Sequence, residues 1–395
     1  MGRSEIGNLE YNECILLVLA VTIGMMLLAS ARDLLVIYLA FETMGILSYL
    51  LVGIRTKDLR SGEAALKYVL YGAFTSGTML FGFSLLFGLA GSTDLYVMGK
   101  QVAEAALNPQ DHLLLVLALL FFLAGLLFKT ASFPFHFWCP DVYEGAATPI
   151  TAFLSVGPKA AGFVLFIRLF YPLFTAGSGS ETYATVAGLN WPEILAWVAA
   201  ITMSLGNLAA IHQNNLKRLL AYSSIAHAGY LFMGICSLSA LGLRAVVFYL
   251  VVYFFMNLGA FAVVAAIVEA GGTEEIGCYR GLGRKAPFIG VAMAIFLFSL
   301  IGIPPFAGFV GKIYLFAAVI SQKIYWLAIV AALNTVVSLY YYMRIVKAMF
   351  LETATDSFQP QISSLSQILL TLLMIPTLGI GLYWQPLAKL VGLLF

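Results

Sequence analysis

Long apolar blocks, separated by short polar punctuation, run the whole length of this 395-residue chain. About 20 apolar residues in a helix cross the ~30 Å hydrocarbon layer of a bilayer. Blocks of that size fall near 13–31, 34–54, 63–90, 113–138, 149–172, 192–211, 217–238, 244–269, 287–320, 325–350 and 366–386. The pattern predicts an all-α polytopic membrane protein with about eleven transmembrane helices. The fourth and ninth blocks are overlong and carry prolines, Pro134 in one and Pro304 and Pro305 in the other. Proline removes a backbone donor and clashes with the preceding turn. Backbone freed at membrane depth must face protein or water rather than lipid. Both blocks are therefore predicted to be discontinuous helices.

The blocks also repeat. Spans one to five (13–172) and six to ten (192–350) form two sets of five, and the fourth member of each set is broken and carries a lysine. These are Lys129 in FKTASFPF and Lys312 in GIPPFAGFVGK. Because five is odd, the second set starts from the opposite face, which makes two inverted five-helix repeats followed by a C-terminal helix (366–395). Ion-coupled transporters use this architecture and place their sites at the broken helices.

Composition agrees: 62% of residues are apolar and 10% charged, against about 45–50% and about 25% in soluble domains. The mean hydropathy is +0.95, which excludes soluble Rossmann, barrel and disordered classes. A net charge of +2 gives nucleic acid no electrostatic hold. Cys14, Cys139, Cys236 and Cys278 are far apart and form no CxxC, so they read as small apolar fillers rather than as zinc or iron–sulfur ligands. No GxGxxG, Walker A or HExxH motif occurs, and no cofactor is expected in this chain. Arg3 stands among Glu5, Glu10 and Glu13, unlike a signal peptide, and Ile6 breaks the myristoylation pattern, so the first block reads as a span.

Lys and Arg in loops set orientation. With a cytoplasmic N-terminus, Arg3, Arg55, Lys57, Arg60, Lys217, Arg218, Arg280, Arg284, Lys285, Arg344 and Lys347 lie inside. Arg32, Lys100, Arg168, Arg244, Lys323 and Lys389 then lie outside. Eleven against six favours a cytoplasmic N-terminus and a periplasmic C-terminus.

Five charges fall inside spans: Glu42, Lys67, Lys129, Lys159 and Lys312. Each costs roughly 2.5–3.5 kcal/mol at mid-bilayer on the insertion scale, so each must be paired, hydrated or functional. Structural readings exist. Lys67 follows Glu63 by four residues and can form a helix pair, and lysines near helix ends snorkel. The functional reading is a chain of lysines poised to take and release protons. His227, in AYSSIAHAGY beside Tyr222, Ser223 and Ser224, suits an interhelical hydrogen bond and a proton relay equally. His112 and His136 fall near span ends and His212 in a loop. Asp141 and Glu144 in PDVYEG fall on an inside loop, where the first reading is loop structure and subunit contact.

The stretches FKTASFPFHFWCPDVYEGAATPITAFLSVGPKAAGF (128–163), HQNNLKRLLAYSSIAHAGY (212–230) and GIPPFAGFVGKIY (302–314) resemble the antiporter-like membrane subunits of respiratory complex I. WCPDVYEGAATP resembles their N-type branch; L- and M-type relatives and Mrp cation antiporters usually carry an LPDAH version there. The resemblance implies proton translocation driven by electron transfer from NADH to quinone elsewhere in the complex. It places NADH, FMN, iron–sulfur clusters and quinone in partner subunits, and it implies L- and M-type subunits and lipid as neighbours in a bacterial inner membrane. By resemblance Glu42 and Lys67 form a Glu–Lys pair, Lys129 and Lys159 continue an inward half-channel, and Lys312 stands near the outward exit. Lys217 matches the basic residue that opens the LKRLLAYSS helix and is a possible relay with His227. Displacement of charge at Glu42 would alter Lys67 and then Lys129. Charges ~7 Å apart interact by roughly 2.4 kcal/mol at an effective dielectric of ~20. The match starts at the family's fourth span, so roughly three helices are expected to be missing before Met1. Alternatives are an Mrp-type Na⁺/H⁺ antiporter subunit, the equivalent subunit of a membrane hydrogenase or ferredoxin-linked complex, and a spacer with vestigial lysines.

Overall fold

Short polar side chains set where many of the helices begin. Asp33, Asp58, Asp94, Asn108, Asn215, Ser239 and Ser363 each stand at an N-cap and accept backbone N–H groups of the first turn, which satisfies donors the helix itself leaves free. The computed structural model describes residues 5–176, 182–186, 188–353 and 360–394; Arg3, used in the orientation count, lies outside them.

The helices of the first part are α1 (Asn8–Ser30), α2 (Leu34–Val52), α3 (Leu59–Ala90), α4 (Leu95–Ala105), α5 (Pro109–Lys129), α6 (Trp138–Gly145) and α7 (Thr148–Phe174). A two-residue antiparallel ladder, β1 (Thr175–Ala176) with β2 (Ala184–Thr185), leads to the second part. There follow α8 (Trp191–Ile211), α9 (Leu216–Cys236), α10 (Ala240–Glu269), α11 (Leu282–Lys285), α12 (Pro287–Ile301), α13 (Ala307–Ser321) and α14 (Tyr325–Phe350). The chain ends in α15 (Ser364–Leu382) and α16 (Gln385–Gly392).

Ten of the described helices are long and apolar enough to span a bilayer, and α12 with α13 supplies two shorter apolar halves. The fold is an all-helical polytopic membrane protein. Three details depart from the sequence reading. The fourth span ends at Lys129 rather than running to 138. Ala131 has φ of +54° and Pro134 follows, so 130–137 leaves the helix. WCPDVYEG is helix α6 rather than loop, its Pro140 tolerated in the first turn. α4 was not foreseen: at eleven residues it is too short to span, and it turns Leu95, Met98 and Val102 inward.

In its apolar 18-residue stretch α9 has 94% of its residues buried and α7 78%, whereas α1 has 22% and α15 28%. The helix with the hydroxyl-rich sequence AYSSIAH is thus the central one, and the most apolar faces look outward to lipid, as the cost of polar groups in hydrocarbon requires. At the second break Gly302 has φ of +87°, a left-handed conformation that suits glycine. The Ser299 hydroxyl caps Gly308 N at 3.0 Å. The break prolines Pro134, Pro304 and Pro305 are exposed, whereas the lysines carried beside the breaks, Lys129 and Lys312, are buried.

Candidate functional site

The short helix α6 projects Asp141 and Glu144 toward the first turn of α9 and the third turn of α3. Asp141 Oδ2 accepts from Lys67 Nζ at 2.7 Å, and Asp141 Oδ1 accepts from Arg218 at 2.7 Å. Glu144 adds a second acceptor for Arg218 at 2.8 Å, and Glu63 one for Lys67 at 2.8 Å. With Arg60 these groups line a vestibule of about 360 Å³. Burial pushes the Asp141 carboxyl up, but hydrogen bonds from Lys67 and Arg218 outweigh it and hold the group below the usual 3.8.

This corrects two expectations. Lys67 pairs with Asp141 and Glu63, not with Glu42, and its side chain is 39% exposed. Val69, Ala73 and Ser76 form the α3 stripe that faces Glu42, and Lys67 lies off that stripe, on the Glu63 side (i, i+4). Asp141 and Glu144 are not loop groups but the centre of an ion-pair network. Their role was hidden because their partners are 74 and 77 residues away in sequence.

Glu42 instead opens into a mostly apolar cleft of about 460 Å³ between α2 and α3, bordered by Tyr38, Tyr49 and Ser76. Its Oε1 is buried without a hydrogen-bond partner among the described residues. Glu42 does interact electrostatically with Lys129. Lys129 Nζ, also buried and unpartnered, lies 4.9 Å from the centre of the Phe41 ring and 5.9 Å from that of Tyr49.

Lys159 sits 2% exposed in α7 and donates to Ser224 O at 2.8 Å and Ser224 Oγ at 2.5 Å. Around it stand Ser155 and Asn257, bonded at 2.8 Å, and the buried hydroxyls of Tyr143 and Tyr253. One turn further along α9, His227 Nδ1 meets the Tyr249 hydroxyl at 2.7 Å and Nε2 meets Tyr342 at 3.4 Å. Tyr342 also hydrogen-bonds Ser223. His227 interacts electrostatically with both Lys159 and Lys312.

Lys312, 4% exposed, donates to Ile301 O at 2.8 Å, a carbonyl released by the second break, and lies 4.7 Å from the centre of the Tyr230 ring. Gly302 lies beneath its stem: a Cβ there would stand 2.8 Å from Lys312 Cδ. Tyr230 continues to Thr335 at 3.1 Å. Near it, Tyr341, Asn207, Asn334 and Ser204 are joined by 3.0 Å bonds between α8 and α14.

Lys217 was expected among the loop charges. It is fully buried, donating to Ala146 O at 2.6 Å and Glu274 Oε1 at 2.8 Å. It braces the α6–α7 junction to the segment after α10, because the opening turn of α9 points inward rather than at water.

The matches to known proteins agree with this geometry. Residues 31–338 match the NADH:quinone oxidoreductase/Mrp antiporter transmembrane family. Subunit N of an NADH-quinone oxidoreductase from Anaeromyxobacter sp. (strain Fw109-5) is 47% identical over 389 residues, 94% of this chain and 75% of that protein. A chain of respiratory complex I from Thermus thermophilus superposes with a TM-score of 0.80 at 35% identity, over 95% of this chain and 79% of that one. A chain of the Mrp complex from Dietzia sp. DQ12-45-1b shares the fold, with a TM-score of 0.83 at 23% identity, over 95% and 76% of the two chains. By sequence and by fold, the chain belongs to the subunit N family of NADH-quinone oxidoreductases, the antiporter-like, proton-translocating membrane subunits of complex I.

Proposed function

We propose that protons cross this subunit through Lys129, Lys159 and Lys312, with His227 relaying between the last two and the Asp141–Lys67–Arg218 vestibule as the uptake side. The observation that carries the reading is the company these lysines keep. None of the three forms an ion pair with a carboxylate among the described residues: Lys129 has no hydrogen-bond partner, Lys159 bonds only Ser224, and Lys312 only a backbone carbonyl. A buried lysine kept for structure is paired, because an unpaired charge in low dielectric is costly. A lysine that must change charge gains from partners that tolerate both forms, and hydroxyls and carbonyls next to an ammonium or amine do so.

Glu42 is the group that addresses Lys129, through the field across the α2–α5 contact. Lys67 acts at the vestibule instead, and Lys217 is a brace rather than a relay. The two five-helix blocks, 13–172 and 192–350, supply the inward and outward half-channels, with the N-terminus cytoplasmic in a bacterial inner membrane. L- and M-type subunits and lipid are the neighbours. NADH, FMN, iron–sulfur clusters and quinone reside in partner subunits and reach this chain only through charge displacement.

The test is to tag the chain in its host, extract it gently, and assay what co-purifies for quinone-dependent NADH oxidation. Activity in a large assembly supports the reading. A small assembly without redox activity would transfer the same lysines to a cation antiporter, and one oxidising hydrogen or ferredoxin would keep the pump and change the donor.

A further inference from the structure

Lys129 and Lys159 must exchange a proton in the reading above, on which this inference rests, yet no hydrogen bond joins them among the described residues. Lys129 is the last residue of α5 and Lys159 lies inside α7. What lies between them is a file of phenols. The Tyr49 hydroxyl and Lys129 Nζ close on the same point of α2: a Cβ on Gly45 would stand 3.2 Å from one and 3.3 Å from the other. The Tyr49 ring meets the fully buried Tyr68 ring edge-on at 4.7 Å. Tyr68 interacts electrostatically with Tyr49 on one side and Cys139 on the other. Cys139 in turn interacts electrostatically with Lys159 and with Tyr143. The Tyr143 hydroxyl faces Ser224, whose Oγ holds Lys159 Nζ at 2.5 Å. The two ends of the file stay open. Both Lys129 Nζ and Tyr143 OH are buried polar atoms without a hydrogen-bond partner of normal geometry, a condition that buried groups rarely keep without a reason.

We propose that Tyr49, Tyr68 and Tyr143, with Cys139 and Ser224, carry the proton from Lys129 to Lys159. A phenol is suited to this because its hydroxyl both donates and accepts, while its ring fills space that would otherwise admit leaking water. In each step one O–H bond of a phenol breaks as another forms on the same oxygen, so the phenols stay neutral. The net change is an ammonium turned amine at Lys129 and an amine turned ammonium at Lys159. No hydrogen bond joins the Tyr49 and Tyr68 hydroxyls among the described residues, so that step calls for a bridging water.

The competing role is packing, since Tyr68 also stacks on Trp138 at 4.4 Å and Tyr143 meets Phe261 at 6.1 Å. Phenylalanine keeps those rings and removes only the hydroxyl. The experiment is therefore proton uptake per NADH oxidised, by the whole complex in proteoliposomes, for Tyr68→Phe and Tyr143→Phe. Tyr279→Phe is the control, a buried tyrosine with an unpartnered hydroxyl outside the file. The expected result is a loss of at least threefold in both file variants, an enlarged deuterium solvent isotope effect, and parent-like uptake in the control. Parent-like uptake in both file variants, with Lys129→Ala and Lys159→Ala inactive, overturns the file and leaves the lysine reading standing. Parent-like uptake in the lysine variants overturns both. If phenylalanine at 143 prevents assembly, Tyr143→His is compared with Tyr143→Met. The imidazole must then outperform the thioether threefold, and equal rates overturn the proposal.

Discussion

Lys67 Nζ lies 2.7 Å from Asp141 Oδ2, and because Asp141 Oδ1 holds Arg218 at the same distance, one carboxylate ties α3 to α9 through α6. The vestibule is thus an assembled object, built from three elements that each contribute charge. Its integrity depends on a side chain that sequence position alone would assign to a loop.

Asp141→Asn keeps the shape and removes the charge. Lys67 is left with Glu63 and Arg218 with Glu144. Hydrogen bonds to charged groups contribute about 1.5–3 kcal/mol, and partial exposure brings this pair to the lower end. The parent carboxyl is held below 3.8, so its contribution is complete above that value and drains away as pH falls through the folded value. The expected outcome is a lower melting temperature than the parent near neutral pH, with the gap narrowing below about pH 4. Melting of the purified complex across pH checks it.

Lys217→Met separates a brace from a relay. The lysine side chain is 1% exposed and its partner Glu274 25%. Breaking a buried pair by removing one partner costs about 3–5 kcal/mol, and the exposure of Glu274 lowers this to about 2–3. Less complex is expected to assemble, while the assembled fraction pumps as many protons per NADH as the parent. Glu274→Gln in the same chain is expected to recover part of the assembly. A fall in pumping by the assembled fraction would make Lys217 a carrier after all. Native gels and proton uptake on the same material settle it.

Gly302→Ala tests the outward lysine without touching it. The position has φ of +87°, and the added Cβ would stand 2.8 Å from Lys312 Cδ. Left-handed backbone costs a non-glycine residue about 1–2 kcal/mol, which an assembly of this size tolerates. The lysine stem, however, must move off Ile301 O. Proton uptake is expected to fall at least threefold with little loss of assembled complex. Gly277→Ala, where a Cβ meets nothing within 4 Å, is expected to behave as the parent.

Much of the fold was legible because hydropathy and proline act locally. Apolar length fixes a span, and Pro134 and Pro304 mark where the helix stops. The buried lysines were legible for the same reason, since a charge inside an apolar block stands out wherever its partner is. Pairings were not. Lys67 was matched to Glu42 by family resemblance, but its partner is set by which face of α3 meets α6, and that follows from tertiary packing. Lys217 read as loop charge because it opens a helix, and only the burial of that opening turn shows otherwise. α4 escaped notice because its eleven residues, LYVMGKQVAEA, alternate in polarity too briefly to read as a span. The tyrosine file carried no signal at all: among 20 tyrosines, only spatial adjacency singles out three.

The central claim is that the unpaired lysines carry protons, and Lys159 tests it most directly. Lys159→Met fills the same volume and cannot be protonated. The complex bearing it should be assembled into proteoliposomes, and proton uptake followed against NADH oxidation, with the exposed Lys347→Met as control. The account expects the Lys159 variant to assemble and its coupled uptake to fall at least threefold, while the Lys347 variant matches the parent. An assembled Lys159→Met complex that takes up protons at the parent's rate would contradict it.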